Sequence, residues 1–66
     1  MKPFQVRVTN EKTELDTKIA SLKDFINHTQ FATLNGDEQK LLSQQLEVMI
    51  QYSNILGERI LGWHVT

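Results

Sequence analysis

The sequence predicts an all-α protein: an antiparallel helical hairpin with a short helical turn at the connection, which assembles into a homo-oligomer. Three observations lead there. Apolar residues recur at helical spacing in two long segments. A helix-start signal, Asn35-Gly36-Asp37-Glu38, separates them. The second segment, Lys40 to Trp63, is apolar on more sides than one partner helix can cover.

Pro3, the single proline, suits the first turn of a helix, where its missing N–H costs nothing. The helical pattern then runs to about Asn27. Val8, Leu15 and Leu22 repeat every seven residues, with Ile19, Phe25 and Ile26 beside them. Residues 4 to 9 alternate and include the β-branched Val6, Val8 and Thr9, which also suits an extended strand. Nothing downstream offers a strand partner, so helix is favoured. Asn27, His28 and Thr29 end this helix. Thr29 is expected to cap a short turn carrying Phe31, Ala32 and Leu34, and Phe31 and Leu34 to plug the open end of the hairpin.

Asn35 can accept from the N–H three residues on, and Glu38 can reach back. Asp37 and Glu38 also suit the positive end of a helix dipole. The second helix is expected to reach about Leu61, with Gly62 as its C-cap. Leu42, Met49, Leu56 and Trp63 form its core stripe, filled in by Leu46, Tyr52 and Ile60. Leu41, Val48 and Ile55 form a second stripe, about 100° round the helix. That second stripe needs another chain. Gln45, between Leu42 and Met49, is expected on the core stripe, as a polar residue that sets register or oligomeric state. Gly57, in mid-helix, costs about 1 kcal/mol relative to Ala and allows a close backbone approach or a bend.

The 66 residues make a single domain, 1–66. A domain this small is marginal alone and usually adds disulfides, a metal or oligomerisation. There is no Cys, and His28 and His64, 36 positions apart, show no metal-ligand spacing. Oligomerisation is the device left. With 7 basic and 8 acidic residues, the net charge of −1 lacks the basic excess of duplex-nucleic-acid binders. No apolar run approaches a membrane span, and no signal-peptide pattern follows Lys2. The chain is expected to be a complete, soluble, intracellular protein.

No side-chain set supports an enzyme or a cofactor. Ser21, Ser43 and Ser53 have no spacing that ties them to a histidine, and the three glycines form no phosphate loop. Arg7, Glu11, Glu14 and Lys18, spaced four, three and four, share one helix face beside the Val8–Leu15–Leu22 stripe. They are either a solvated face with Arg7–Glu11 and Glu14–Lys18 pairs, or they place Arg7 or Lys18 in a groove between chains, against an anion. Arg59, in an apolar run, is either an interface ion-pair partner or an anion ligand. Phe4 and Trp63 come together at the open end of a hairpin. Each can pack there or stack on a base, and packing is favoured for Trp63.

Arg7-Val8, Glu11, Glu14-Leu15, Lys18-Ile19, Leu22 and Phe25 are followed by Phe31, Leu34, Glu38 and Leu41-Leu42. Gln45-Leu46, Met49, Tyr52, Ile55-Leu56 and Arg59-Ile60 complete a pattern that resembles the phage anti-CBASS and anti-Thoeris helical-hairpin family, over about residues 4 to 61. The resemblance implies a compact hexamer acting as a sponge in the infected bacterial cytoplasm. It would bind cyclic dinucleotides, cyclic trinucleotides or cyclic ADP-ribose isomers between protomers without cleaving them. It implies that Phe4 stacks on a base, that Lys18 meets phosphate, and that Arg59 lines a separate cyclic-trinucleotide pocket. The candidate ligand-binding set is therefore Phe4, Arg7, Val8, Glu11, Lys18 and Arg59, with no metal.

Overall fold

In a computed structural model, residues 2–65 are described, with side chains to Trp63; His64 lies outside the described side chains. Two helices, α1 (Pro3–Ile26) and α2 (Gly36–Val65), form an antiparallel hairpin. A single 3-10 turn, Phe31–Thr33, lies in the connection.

α1 begins where expected, with Pro3 in its first turn and the Lys2 N–H donating to Gln5 Oε1 at 3.0 Å. Residues 4 to 9 are helical throughout. Within them the Thr9 hydroxyl donates to the Gln5 carbonyl at 2.8 Å, and Thr13 and Thr17 repeat the bond one and two turns on. Asn27 closes the helix, its side-chain amide donating to the Lys23 carbonyl at 3.0 Å.

The connection differs from expectation in two ways. Gln30, not Thr29, occupies the N-cap of the short turn. The Thr29 side chain caps nothing there; its carbonyl accepts from the Ala32 N–H at 3.2 Å. Phe31 and Leu34 plug the connecting end of the hairpin rather than its open end. They sit between the helices in sequence, so the chain holds them where α1 turns into α2. Phe31 packs edge-on against Phe25, with ring centroids 6.2 Å apart. Asn35 caps α2 as expected, its Oδ1 accepting from the Glu38 N–H at 2.8 Å. Gln39 adds a bond the sequence reading missed, donating to the Leu34 carbonyl at 2.8 Å.

α2 outruns its expected end. Gly62 is helical rather than a left-handed cap, and no glycine among the described residues has positive φ. The extra turn carries Trp63, which packs edge-on against Phe4 with ring centroids 5.5 Å apart. That contact gives the helix a reason to continue past a residue that would ordinarily end it.

The core is a seam between two complementary stripes. On α1 it runs Val8, Lys12, Leu15, Ile19, Leu22, Ile26, and on α2 Leu42, Leu46, Met49, Ser53, Leu56, Ile60, Trp63, in alternating steps of three and four. Leu56 is completely buried and Ser53 is 5% exposed. Two expected members fall out of this seam. Tyr52 is 42% exposed, and Gln45 is exposed, with its amide 3.8 Å from Met49 Sδ. Both sit one residue before a seam position, and one residue is about 100° of helix.

Candidate functional site

The two flanks of the hairpin differ in character. One carries Phe4, Arg7, Glu11, Glu14 and Lys18 from α1, one helical step round from the seam. The corresponding flank of α2 carries Leu41, Gln45, Val48, Tyr52, Ile55 and Arg59. A hydrogen bond from the Tyr52 hydroxyl to Glu11 Oε2 joins the two, so they form one continuous face. Leu41, Val48 and Ile55 are each more than half exposed on it, as expected of the second stripe.

Five of the six candidate residues reach this face. Phe4, Arg7, Glu11, Lys18 and Arg59 are exposed. Phe4 makes a T-shaped contact with Trp63 and remains 42% exposed. Val8 is the sixth, and it is buried in the seam beneath them. The Arg7–Glu11 and Glu14–Lys18 ion pairs of the solvated-face alternative do not form among the described residues. Glu11 accepts instead from the Tyr52 hydroxyl, across the hairpin. Arg7, Lys18 and Arg59 therefore enter no ion pair among the described residues. Exposed cations without carboxylate partners can engage an anion without breaking an existing bond; along α1, Arg7 lies one turn from Phe4 and Lys18 about three turns further on.

The opposite flank holds a cluster that the sequence reading did not single out. Lys12 Nζ donates to Asp16 Oδ2 at 2.9 Å and to Ser53 Oγ at 3.0 Å, and the Ser53 hydroxyl donates to Asp16 Oδ1 at 2.5 Å. The Ser53 hydrogen bond, reinforced by Lys12, holds the Asp16 carboxyl below the usual carboxylate range. Next to it, Lys12, Ser53, Asn54, Gly57, Glu58 and Leu61 line an open groove of about 350 Å³. The signal for this cluster was present in the chain: Lys12 and Ser53 are the polar positions within the two seams. Among the described residues no cluster of His, Asp or Glu could hold a metal ion, and no helix is long and apolar enough to cross a membrane.

The Sequestin family profile matches residues 2–61. A 7.5 kDa protein of the denB–rIIB intergenic region of Enterobacteria phage T4, described as uncharacterized, is 37% identical over 60 residues, covering 91% of this chain and 94% of the relative. No solved structure matches the chain. The family match spans nearly the whole hairpin and the relative aligns end to end with it, so this chain belongs to the Sequestin family.

Proposed function

We propose that this protein is a phage-encoded sponge that binds cyclic nucleotide immune signals and holds them, without cleaving them, so that host antiviral defence is not triggered. The ligands are cyclic dinucleotides, cyclic trinucleotides or cyclic ADP-ribose isomers, taken up in the cytoplasm of the infected host. The observation that carries the reading is that Arg7, Lys18, Arg59 and the half-exposed Phe4 lie on the same face of the hairpin as an uncovered apolar stripe. A phosphate-rich, base-bearing ligand needs cations and a stacking surface, and an interchain pocket needs an assembly surface beside them. The family name supports sequestration, and the T4 relative supports a phage setting.

Surface area supports assembly. A compact monomer of 7.7 kDa exposes about 4,300 Å², whereas this hairpin exposes 5093 Å². Its radius of gyration is 15.0 Å, against about 11 Å for a compact chain of this length. Packing Leu41, Val48 and Ile55 against neighbouring hairpins would bury part of that excess, and a hexamer repeats each cation six times around the assembly. Phe4, Arg7, Glu11 and Lys18 would line the pockets with Val8 as their floor, and Arg59 would line a separate one. No reaction is assigned to any side chain.

Calorimetry of the purified oligomer against a panel of cyclic di- and trinucleotides and cyclic ADP-ribose isomers tests the proposal. Binding is expected, with unmodified ligand recovered after heat release. Recovery of a cleaved product would replace the sponge with an enzyme. The same apolar stripe favours a second reading, a helical interaction protein that masks a host or phage protein. That reading expects no nucleotide binding and a stoichiometric protein complex.

A further inference from the structure

Two polar residues interrupt the seams that face one another inside this hairpin, and they meet. Lys12 occupies a seam position on α1 between Val8 and Leu15, and Ser53 one on α2 between Met49 and Leu56. With Asp16 they close a triangle of three hydrogen bonds, 2.9, 3.0 and 2.5 Å long, in which both carboxylate oxygens are used and the serine hydroxyl both donates and accepts. Gly57 lies one turn beyond Ser53. A Cβ on Gly57 would stand 3.2 Å from Lys12 Cε, closer than ordinary contact. Cε carries the ammonium, which makes two hydrogen bonds, so the few tenths of an ångström it must give bear directly on those bonds. A glycine is otherwise unfavourable in a helix interior.

We propose that Lys12, seated on Gly57 and held by Ser53 and Asp16, is the register lock of the hairpin and a positioning residue for its open end. Apolar seams with a repeating pattern tolerate sliding, because a displaced leucine still meets an apolar neighbour. A closed polar triangle is satisfied in one alignment, and in any other a seam lysine and a buried hydroxyl lose their partners. Lys12 lies eight residues from Phe4, about 12 Å along the helix, so it acts by fixing where α1 lies along α2. The edge-to-face contact of Phe4 with Trp63 and the Tyr52–Glu11 bond both depend on that alignment. Any effect of the lock on ligand capture rests on the sponge reading; the lock itself does not.

Trp63 is the single tryptophan, so its emission reports on the open end without any ligand. Lys12→Met and Ser53→Ala should red-shift that emission and weaken the near-ultraviolet dichroism while helical dichroism is retained. Gly57→Ala should give the same red shift, although alanine is the better helix former. In a Lys12→Ala background the Gly57→Ala change meets no stem. It should raise the melting temperature there, and raise it less, or lower it, in the native background. Unshifted emission in Lys12→Met and Ser53→Ala, or equal melting gains from Gly57→Ala in both backgrounds, overturns the proposal. Should Lys12→Met lose its helical signal, the Gly57→Ala emission and the paired melts decide. A protein that binds no cyclic nucleotide still gives these signals, so the lock and the sponge reading fail separately.

Discussion

Two stripes on α2 share a spacing and differ by one residue. Leu42, Leu46, Met49, Ser53, Leu56, Ile60 and Trp63 face α1; Leu41, Gln45, Val48, Tyr52, Ile55, Arg59 and Gly62 lie one step round, where Tyr52 still reaches Glu11 of α1. Leu56 is fully buried and its neighbour Ile55 is 55% exposed. The inner stripe is already satisfied within one chain. The outer one has the same three-and-four rhythm but keeps its leucine, valine and isoleucine in solvent. Apolar surface at seam spacing is costly to leave wet, so the difference separates residues that fold this chain from residues available to join it to others.

The comparison breaks first at Leu56. Leu56→Ala empties a site with no solvent exposure and should cost about 2–5 kcal/mol, enough to abolish a cooperative thermal transition in so small a domain. Ile55→Glu, one residue earlier, should leave the helical dichroism in place and shift sedimentation toward the monomer mass. Equal effects from the two changes would erase the distinction between the stripes. Next in size are the candidate ligand residues on the outer face. Lys18→Ala should weaken cyclic-nucleotide binding about tenfold to a hundredfold by calorimetry, with sedimentation unchanged, as expected for loss of about 1.5–3 kcal/mol from a charged hydrogen bond. Normal affinity in that variant would move the anion contact elsewhere.

A smaller effect is expected where α2 starts. Asn35→Ala removes the acceptor for the Glu38 N–H and should lower stability by about 1 kcal/mol in a thermal melt, without altering assembly. The smallest concerns acid. Asp16 is held below its ordinary value by Ser53 and Lys12, so its contribution is present above the unfolded-state pKa of about 3.9. It is lost as pH falls through the lower folded-state value. Lys12 from its own helix and Ser53 from α2 face the carboxylate, with Glu58 across the adjoining groove. Asp16→Asn should flatten the melting-temperature profile below about pH 4 relative to the native chain. An unchanged acid slope would assign that loss to other carboxylates.

Much of this could be read along the chain because it is local. Asn35 with Glu38 three residues on specifies a helix start through main-chain geometry alone. The repeats of Val8, Leu15 and Leu22 and of Leu42, Met49 and Leu56 specify two helices that must pair. Leu41, Val48 and Ile55 declare a surplus stripe through periodicity. The common face of Arg7 and Lys18 is legible too, since it follows from four- and three-residue steps; that Arg59 of α2 joins it depends on how the helices pair. Which neighbour each one takes was not. Glu11 has Arg7 one turn away on its own helix yet bonds Tyr52, 41 positions along the chain. Tyr52 itself was read as core because helical spacing alone leaves an uncertainty of about one residue in where a stripe is centred.

The sequence by itself determined the all-α hairpin, its capped second helix and its apolar surplus, because these follow from periodicity and from bonds three or four residues long. Tertiary structure alone decided the alignment of one helix along the other, and everything that depends on it. Lys12 meets Ser53 over Gly57, Glu11 bonds Tyr52 rather than Arg7, and α2 continues past Gly62. A helix repeats every 3.6 residues and presents nearly equivalent faces to a partner at several offsets. The choice among them is made by the few cross-helix contacts that only one alignment satisfies.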